Sequence, residues 1–244
     1  MITRRAFLTL ASAAVPLTCA QRTPTRDGQL RVKPKAPTIE TPPGEHALKL
    51  GGDRDGVLIV PKGYKANTPA PLAVMLHGAG GFARRVASLF SVADDLGVII
   101  LAPDSRGGTW DAIRGRYGPD IEFLERALEY SFDRCNVDFR RLAIGGFSDG
   151  ATYGLSVGLA SGDLFTHVVA CSPGFVIPGP MRGRPKIFIS HGTADPILPI
   201  DVTSREIVPQ LKKAGYQVTY REFDGPHRVP PEIAKEGLTW FAAR

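Results

Sequence analysis

Near-continuous apolar runs recur along the chain at 71–77 (PLAVMLH), 98–103 (VIILAP), 141–147 (RLAIGGF), 166–171 (THVVAC) and 186–191 (KIFISH). Strands covered on both faces read this way, because each side of the pleat must meet an apolar layer. Segments 57–61 (VLIVP) and 217–223 (QVTYREF) read as further strands, expected nearer the sheet edges. Between the runs, apolar positions fall at helical spacing over 82–96, 120–132, 149–160, 202–214 and 231–242. Gly215, directly after Lys212, Lys213 and Ala214, is a helix stop. Strand and helix alternate, which predicts an α/β class with a mostly parallel central sheet and helices on both faces. No internal repeat interrupts the alternation.

The alternation begins only beyond residue 45, so the N-terminal part is a separate matter. Arg4-Arg5 precede an apolar run from Ala6 to Leu17, shorter than the roughly 20 residues a bilayer span requires. Charged start, apolar middle and small residues form a secretory signal, and TRRAFL is of the twin-arginine type. Residues 1–20 are therefore expected to be an export signal cleaved after Ala20, rather than a lipid anchor at Cys19, whose neighbour Thr18 fits a lipobox poorly. A periplasmic or secreted bacterial protein follows. Residues 21–45 hold five prolines and few apolar side chains, and are expected to be a disordered spacer. Residues 46–244 form the folded domain.

This division changes how the charge reads. The chain has 30 Lys and Arg against 24 Asp and Glu, a formal +6, yet residues 46–244 hold 23 basic and 21 acidic side chains. Nucleic-acid binders concentrate positive charge on the folded body, so nucleic acid is not an expected partner. With 43% hydrophobic and 22% charged residues, the composition excludes a collagen, a disordered chain and a polytopic membrane protein. The mature chain is expected to hold no membrane span. Cys135 precedes one strand and Cys171 ends its neighbour, so they belong at opposite sheet ends, too far apart for a disulfide.

In parallel sheets, chemistry gathers where the strands end. The polar groups there are His77 with its glycine-rich successor, Asp104, Ser148-Asp149, Ser172, and His191 through Asp195. Gly146-Phe147-Ser148-Asp149-Gly150 is G-x-S-x-G between a strand and a helix, the setting that holds a serine hydroxyl on a sharp exposed turn. Serine needs a base, and the base an orienting acid, in the chain order Ser, acid, His. His227 in DGPH follows the last strand and suits the base, whereas His191 at a strand end is structural. Asp195 in HGTADPILP suits the acid; Asp201 is better placed to cap the next helix, and Asp163 comes too early. Two convergent donors for an oxyanion are the N–H of Asp149 and, from the HGAGG loop, the N–H of Ala79. His77 shapes that loop. The loop 105–119 carries Trp110, read either as a pocket wall packing on substrate or as the anchor of a surface loop. No metal constellation and no nucleotide-binding glycine pattern is visible, so no cofactor is expected.

The motifs HGAGG, GFSDG, SHGTADPILP, AGYQVTYREF and GPH, in this order, resemble the α/β-hydrolase superfamily, and within it the bacterial phospholipase/carboxylesterase-type serine esterases. The resemblance covers about residues 71–241. It implies the α/β-hydrolase fold and, residue by residue, Ser148 as nucleophile, Asp195 as acid and His227 as base, with Ala79 and Asp149 forming the oxyanion hole. Asp149 and Ala151 depart from the Gln and second Gly frequent in that family. The implied activity is cleavage of a small-molecule carboxylic ester; alternatives on the same triad are a phospholipase, a thioesterase or a polyester hydrolase. A non-catalytic binding protein on the same fold is the alternative of another class. Segment 171–186 is too short for a cap domain, so an open site is expected.

Overall fold

The computed structural model describes residues 27–243. The expected export signal over 1–20, with Cys19, lies outside the described residues. Eight strands form one sheet in the order β1-β2-β4-β3-β5-β6-β7-β8. These are β1 (Gly44–Ala47), β2 (Gly56–Val60), β3 (Ala70–Leu76), β4 (Ile99–Pro103), β5 (Val137–Phe147), β6 (His167–Cys171), β7 (Lys186–Gly192) and β8 (Val218–Phe223). From β4 to β8 in this order every pairing is parallel; the antiparallel pairings are β1–β2 and β2–β4, so β2 alone runs against the other strands. The helices are α1 (Ala83–Leu89), α2 (Asp111–Arg114), α3 (Pro119–Arg134), α4 (Asp149–Ala160), α5 (Ser204–Lys213) and α6 (Pro231–Ala242). Among the described residues no helix stands between β6 and β7, and none is long and apolar enough to cross a membrane.

The apolar runs fill two layers because successive strand residues point to opposite faces. Leu72, Val74 and Leu76 of β3, with Ile144 of β5 and Ile189 of β7, pack under α3, α4 and α5. Ala73 and Met75, with Val169 and Phe188, face α1 and α6. Cys135 and Cys171 are buried free thiols. Burial pushes Cys171 up to about 11 and Cys135 up to about 12, so neither is a ready thiolate.

Two expectations need correction. The spacer expected over 21–45 is ordered from residue 27 onward and packs on the body. Leu30 and Val32 are buried in the layer under α3 and α4, the Leu30 N–H donates to Ser161 Oγ at 2.9 Å, and Thr38 and Ile39 donate to the Asp133 carbonyl. A few apolar side chains suffice here because the body supplies both a groove and hydrogen-bond partners. Trp110, read as a possible pocket wall, is 1% exposed and belongs to the same layer. Its indole packs between His77 and Tyr153, and Nε1 donates to the His77 carbonyl at 2.8 Å. A buried indole needs such an acceptor; this one fixes the loop after β3 from beneath and does not touch the cleft.

The loop carrying Trp110 is held by two carboxylates, the buried Asp120 and the half-buried Asp111. Asp120 accepts the N–H groups of Arg106 (2.6 Å) and Asp111 (2.7 Å). Asp111 accepts those of Gly118 (2.9 Å) and Asp120 (3.0 Å), and the Tyr153 hydroxyl at 3.0 Å. Burial pushes Asp120 up to about 6, against its two N–H donors and Arg106, with the Asp111 charge adding to the rise. A carboxyl raised from 3.8 in this way favours the fold in its protonated form. Its contribution is greatest below the unfolded value and is lost as pH rises through about 6. The melting temperature of the wild type relative to Asp120→Asn should therefore increase as the pH is lowered from about 7 to about 4. A difference that stays flat or shrinks over that interval contradicts a raised Asp120.

Candidate active site

Gly146, Ser148 and Gly150 bend the chain between β5 and α4. Ser148 sits at φ 59°, ψ −123°, a left-handed geometry that side chains rarely adopt. It persists because the turn is pressed against the end of β3. A Cβ on Gly146 or on Gly150 would lie 2.1 Å from the Leu76 carbonyl oxygen, so only glycine fits on either side of the serine. The same approach places the loop after β3 beside the hydroxyl: a Cβ on Gly78 would come within 3.1 Å of Ser148 Cβ.

Three strand ends meet at this serine. His227 Nε2 is 2.9 Å from Ser148 Oγ, and His227 Nδ1 is 2.6 Å from Asp195 Oδ2. The His227 ring also packs on Phe147, centroids 4.6 Å apart. Asp195 follows β7, and its other oxygen accepts the N–H groups of Ile197 and Leu198, both at 2.9 Å. Burial raises the Asp195 carboxyl, but the Leu198 N–H, the His227 ring and the Ile197 N–H outweigh it and hold the group below its usual range. The acid and histidine loops are joined directly, with the Ala194 N–H on the Gly225 carbonyl and the Thr193 N–H on that of Phe223. Gly192 permits this contact, since a Cβ there would stand 2.4 Å from the Gly225 oxygen.

His191 is fully buried. Its Nδ1 lies 2.7 Å from Ser204 Oγ, and its Nε2 lies 2.8 Å from the Leu198 carbonyl and 3.2 Å from Asp195 Oδ2. Burial lowers its pKa, so it stays a neutral ring bracing the acid loop. Asp201 lies in a short 3-10 turn and pairs with Arg205 at 2.6 Å; the N-cap position of α5 is held by Thr203, whose hydroxyl donates to the Pro199 carbonyl and makes no cap bond, a correction to the cap expected of Asp201.

The loop after β3 is shaped by His77, as its Nδ1–H donates to the Gly78 carbonyl (2.7 Å) and its Nε2 accepts the Ser105 N–H (3.0 Å). Burial lowers the pKa of His77, which suits this neutral tautomer. Arg54 locks the loop further, donating to the carbonyls of Gly81 (2.7 Å) and Ser105 (2.6 Å). Asp104, at the end of β4, accepts the N–H of Ala83, the first residue of α1. Sequence reasoning passed over Arg54, because nothing along the chain links residue 54 to residue 81. The N–H of Asp149 opens α4 and so has no partner within that helix. Among the described residues, the N–H of Ala79 donates to no backbone carbonyl. The Asp149 carboxylate turns away to accept Thr109 Oγ1 at 2.6 Å.

Ser148, His227, Gly78 and Ala79 line an open cleft of about 410 Å³, walled by Val86, Leu89, Phe147, Ile197 and Val229 and edged by Arg85 and Arg228. A larger hollow of about 820 Å³ lies at the opposite end of the sheet, by Asp138, His167 and Trp240. It holds no comparable serine–histidine pair. Among the described residues no cluster of His, Cys, Asp and Glu is arranged to hold a metal ion.

Comparison with known proteins agrees with this architecture. Residues 120–236 match the Phospholipase/Carboxylesterase family model. The chain is 30% identical over 177 residues to a protein of Aspergillus oryzae described as a probable feruloyl esterase C, covering 68% of this chain and 62% of that one. It thus spans about three fifths of the length of that relative. A substrate-bound fluorophosphonate-binding serine hydrolase of Staphylococcus aureus superposes with a TM-score of 0.67 at 15% identity, over 84% of this chain and 100% of the other. A ferulic acid esterase of Anaeromyces mucronatus, in complex with ferulic acid, gives 0.61 at 19% identity, over 82% and 89%. At these identities the structural likeness is one of fold. Sheet order and turn geometry are those of the α/β-hydrolase fold, and within it residues 120–236 match the phospholipase/carboxylesterase family model.

Proposed function

We propose that the protein is a serine hydrolase of small carboxylic esters. The observation that carries this reading is the continuous chain Ser148–His227–Asp195, with links of 2.9 and 2.6 Å, at the floor of an open cleft. Ser148 Oγ attacks the acyl carbon while His227 Nε2 takes its proton. Asp195, ionised, holds the ring by Nδ1 and balances the positive charge it gains. The oxyanion is received by the N–H groups of Ala79 and Asp149. Collapse of the tetrahedral adduct expels the alcohol, which leaves with the proton from His227. Water then attacks the acyl-enzyme with His227 as base, and the acid departs as Ser148 regains its proton. The uncharged walls suit an acyl or aryl group, and the feruloyl esterase relative makes feruloyl esters the first aromatic substrates to test.

The same proposal makes the protein exported, on the strength of Arg4-Arg5 and the short apolar run behind them. Replacing both arginines by lysine should leave the uncleaved precursor in the cytoplasm. Unchanged delivery to the periplasm or medium contradicts a twin-arginine route.

Ser148→Ala and His227→Ala should each lower kcat by a factor on the order of 10⁵–10⁶, and Asp195→Asn by somewhat less, since members of a triad act as a unit. Steady-state hydrolysis of a short 4-nitrophenyl ester, with circular dichroism to verify folding, measures this. His191→Ala should cost far less than His227→Ala; the reverse order would mean that the base has been wrongly assigned.

A further inference from the structure

The mouth of the cleft carries two cations and no carboxylate. Arg85 stands on α1 beside the wall residues Val86 and Leu89, and Arg228 directly follows His227. The guanidinium of Arg228 reaches back over its own loop, with Nε and Nη2 3.3 and 3.4 Å from where a Cβ on Gly225 would stand. Both arginines are exposed, and among the described residues neither forms an ion pair. Ion pairing elsewhere on the surface is mixed: among the described residues Arg114, Arg116 and Arg184 likewise form none, so what sets Arg85 and Arg228 apart is their place at the cleft. Arg84, next to Arg85, pairs with Glu45 at 2.7 Å, Arg205 pairs with Asp201 and Glu222, Arg221 with Glu236, and Arg141 with Asp138.

The acids close to the cleft are engaged elsewhere: Asp195 behind His227, Asp149 with Thr109, and Asp104 on the Ala83 N–H. Asp224, in the histidine loop, is not among the lining residues. Two unneutralised guanidiniums at the rim of an otherwise uncharged cleft create a positive potential there. The planar fork of a guanidinium suits a carboxylate, which it can bind through two parallel hydrogen bonds.

We propose that the cleft selects esters bearing a second, ionised carboxylate, with Arg85 and Arg228 as its counter-ions and the apolar walls taking the carbon chain between the two ends. This rests on the esterase reading above. The reaction at Ser148 is the same for charged and neutral esters; only the placing of the substrate differs. The carboxylate can belong to the acid part or to the alcohol part, and each is tested separately.

The test compares two matched pairs. For the acid part, mono-4-nitrophenyl adipate is set against 4-nitrophenyl hexanoate; for the alcohol part, 4-carboxyphenyl hexanoate is set against 4-carbamoylphenyl hexanoate. The expected result is a preference for the charged member of about tenfold in kcat/KM in at least one pair, as for a charge-assisted contact. That ratio should fall towards one in the Arg85→Gln/Arg228→Gln double variant, through a higher KM for the charged ester. Raising the ionic strength from about 0.02 to about 0.5 M should shrink it as well, because the contact is exposed. Hydrolysis of the neutral esters with no preference for the charged member of either pair overturns this inference and leaves the esterase reading standing. So does a preference that survives in the double variant. Failure to hydrolyse any of the four esters overturns both.

Discussion

The site depends on how closely the turn at Ser148 is pressed onto the end of β3. Gly146 and Gly150 lean on the same Leu76 carbonyl, and no side chain fits at either position. This contact fixes the strained backbone of Ser148 and sets the hydroxyl against the loop that begins at His77. Forcing even a methyl group into such a contact typically costs about 1–3 kcal/mol and shifts the backbone. Here a shift would part the serine from the N–H of Ala79. The Gly192–Gly225 contact repeats the device between the acid and histidine loops. Close backbone approach at two points therefore aligns groups that lie 79 residues apart along the chain.

Around these contacts the protein builds supports, of which only Phe147 also lines the cleft. Trp110 and Arg54 hold the loop after β3 from below and from the side, His191 braces the Asp195 loop, and Phe147 packs on the His227 ring. Each is a fixed partner for a group whose position matters to within tenths of an ångström. Catalysis by preorganised donors needs such support, because donors that must first move into place lose much of their effect.

Much of this was legible in the sequence, and the parts that were not have identifiable causes. The central strands were visible because burial on both faces demands unbroken apolar runs, and α4 and α6 were read to their ends. β1 (GEHA) was missed because it lies largely exposed at the sheet edge and shows no apolar alternation. The helix expected over 82–96 stops at Leu89 and continues as a 3-10 turn over Ser91–Ala93, which periodicity does not distinguish. Leu30 and Val32 are two apolar residues among charged ones and prolines, and only the groove that receives them makes them core. Ser148, Asp195 and His227 could be singled out because chain order and strand ends restrict a triad to few positions. The direction in which Trp110 points was hidden, since an aromatic residue in a loop after a strand can face either way.

The central claim is that Ser148 is an activated nucleophile. It is tested most directly by exposing the folded protein to a fluorophosphonate and measuring its intact mass, with Ser148→Ala treated in parallel. The account predicts the addition of one phosphonyl group per chain, located on the peptide containing Ser148, and none on the variant. A wild-type chain that remains unlabelled, or a variant that is labelled equally well, would contradict it.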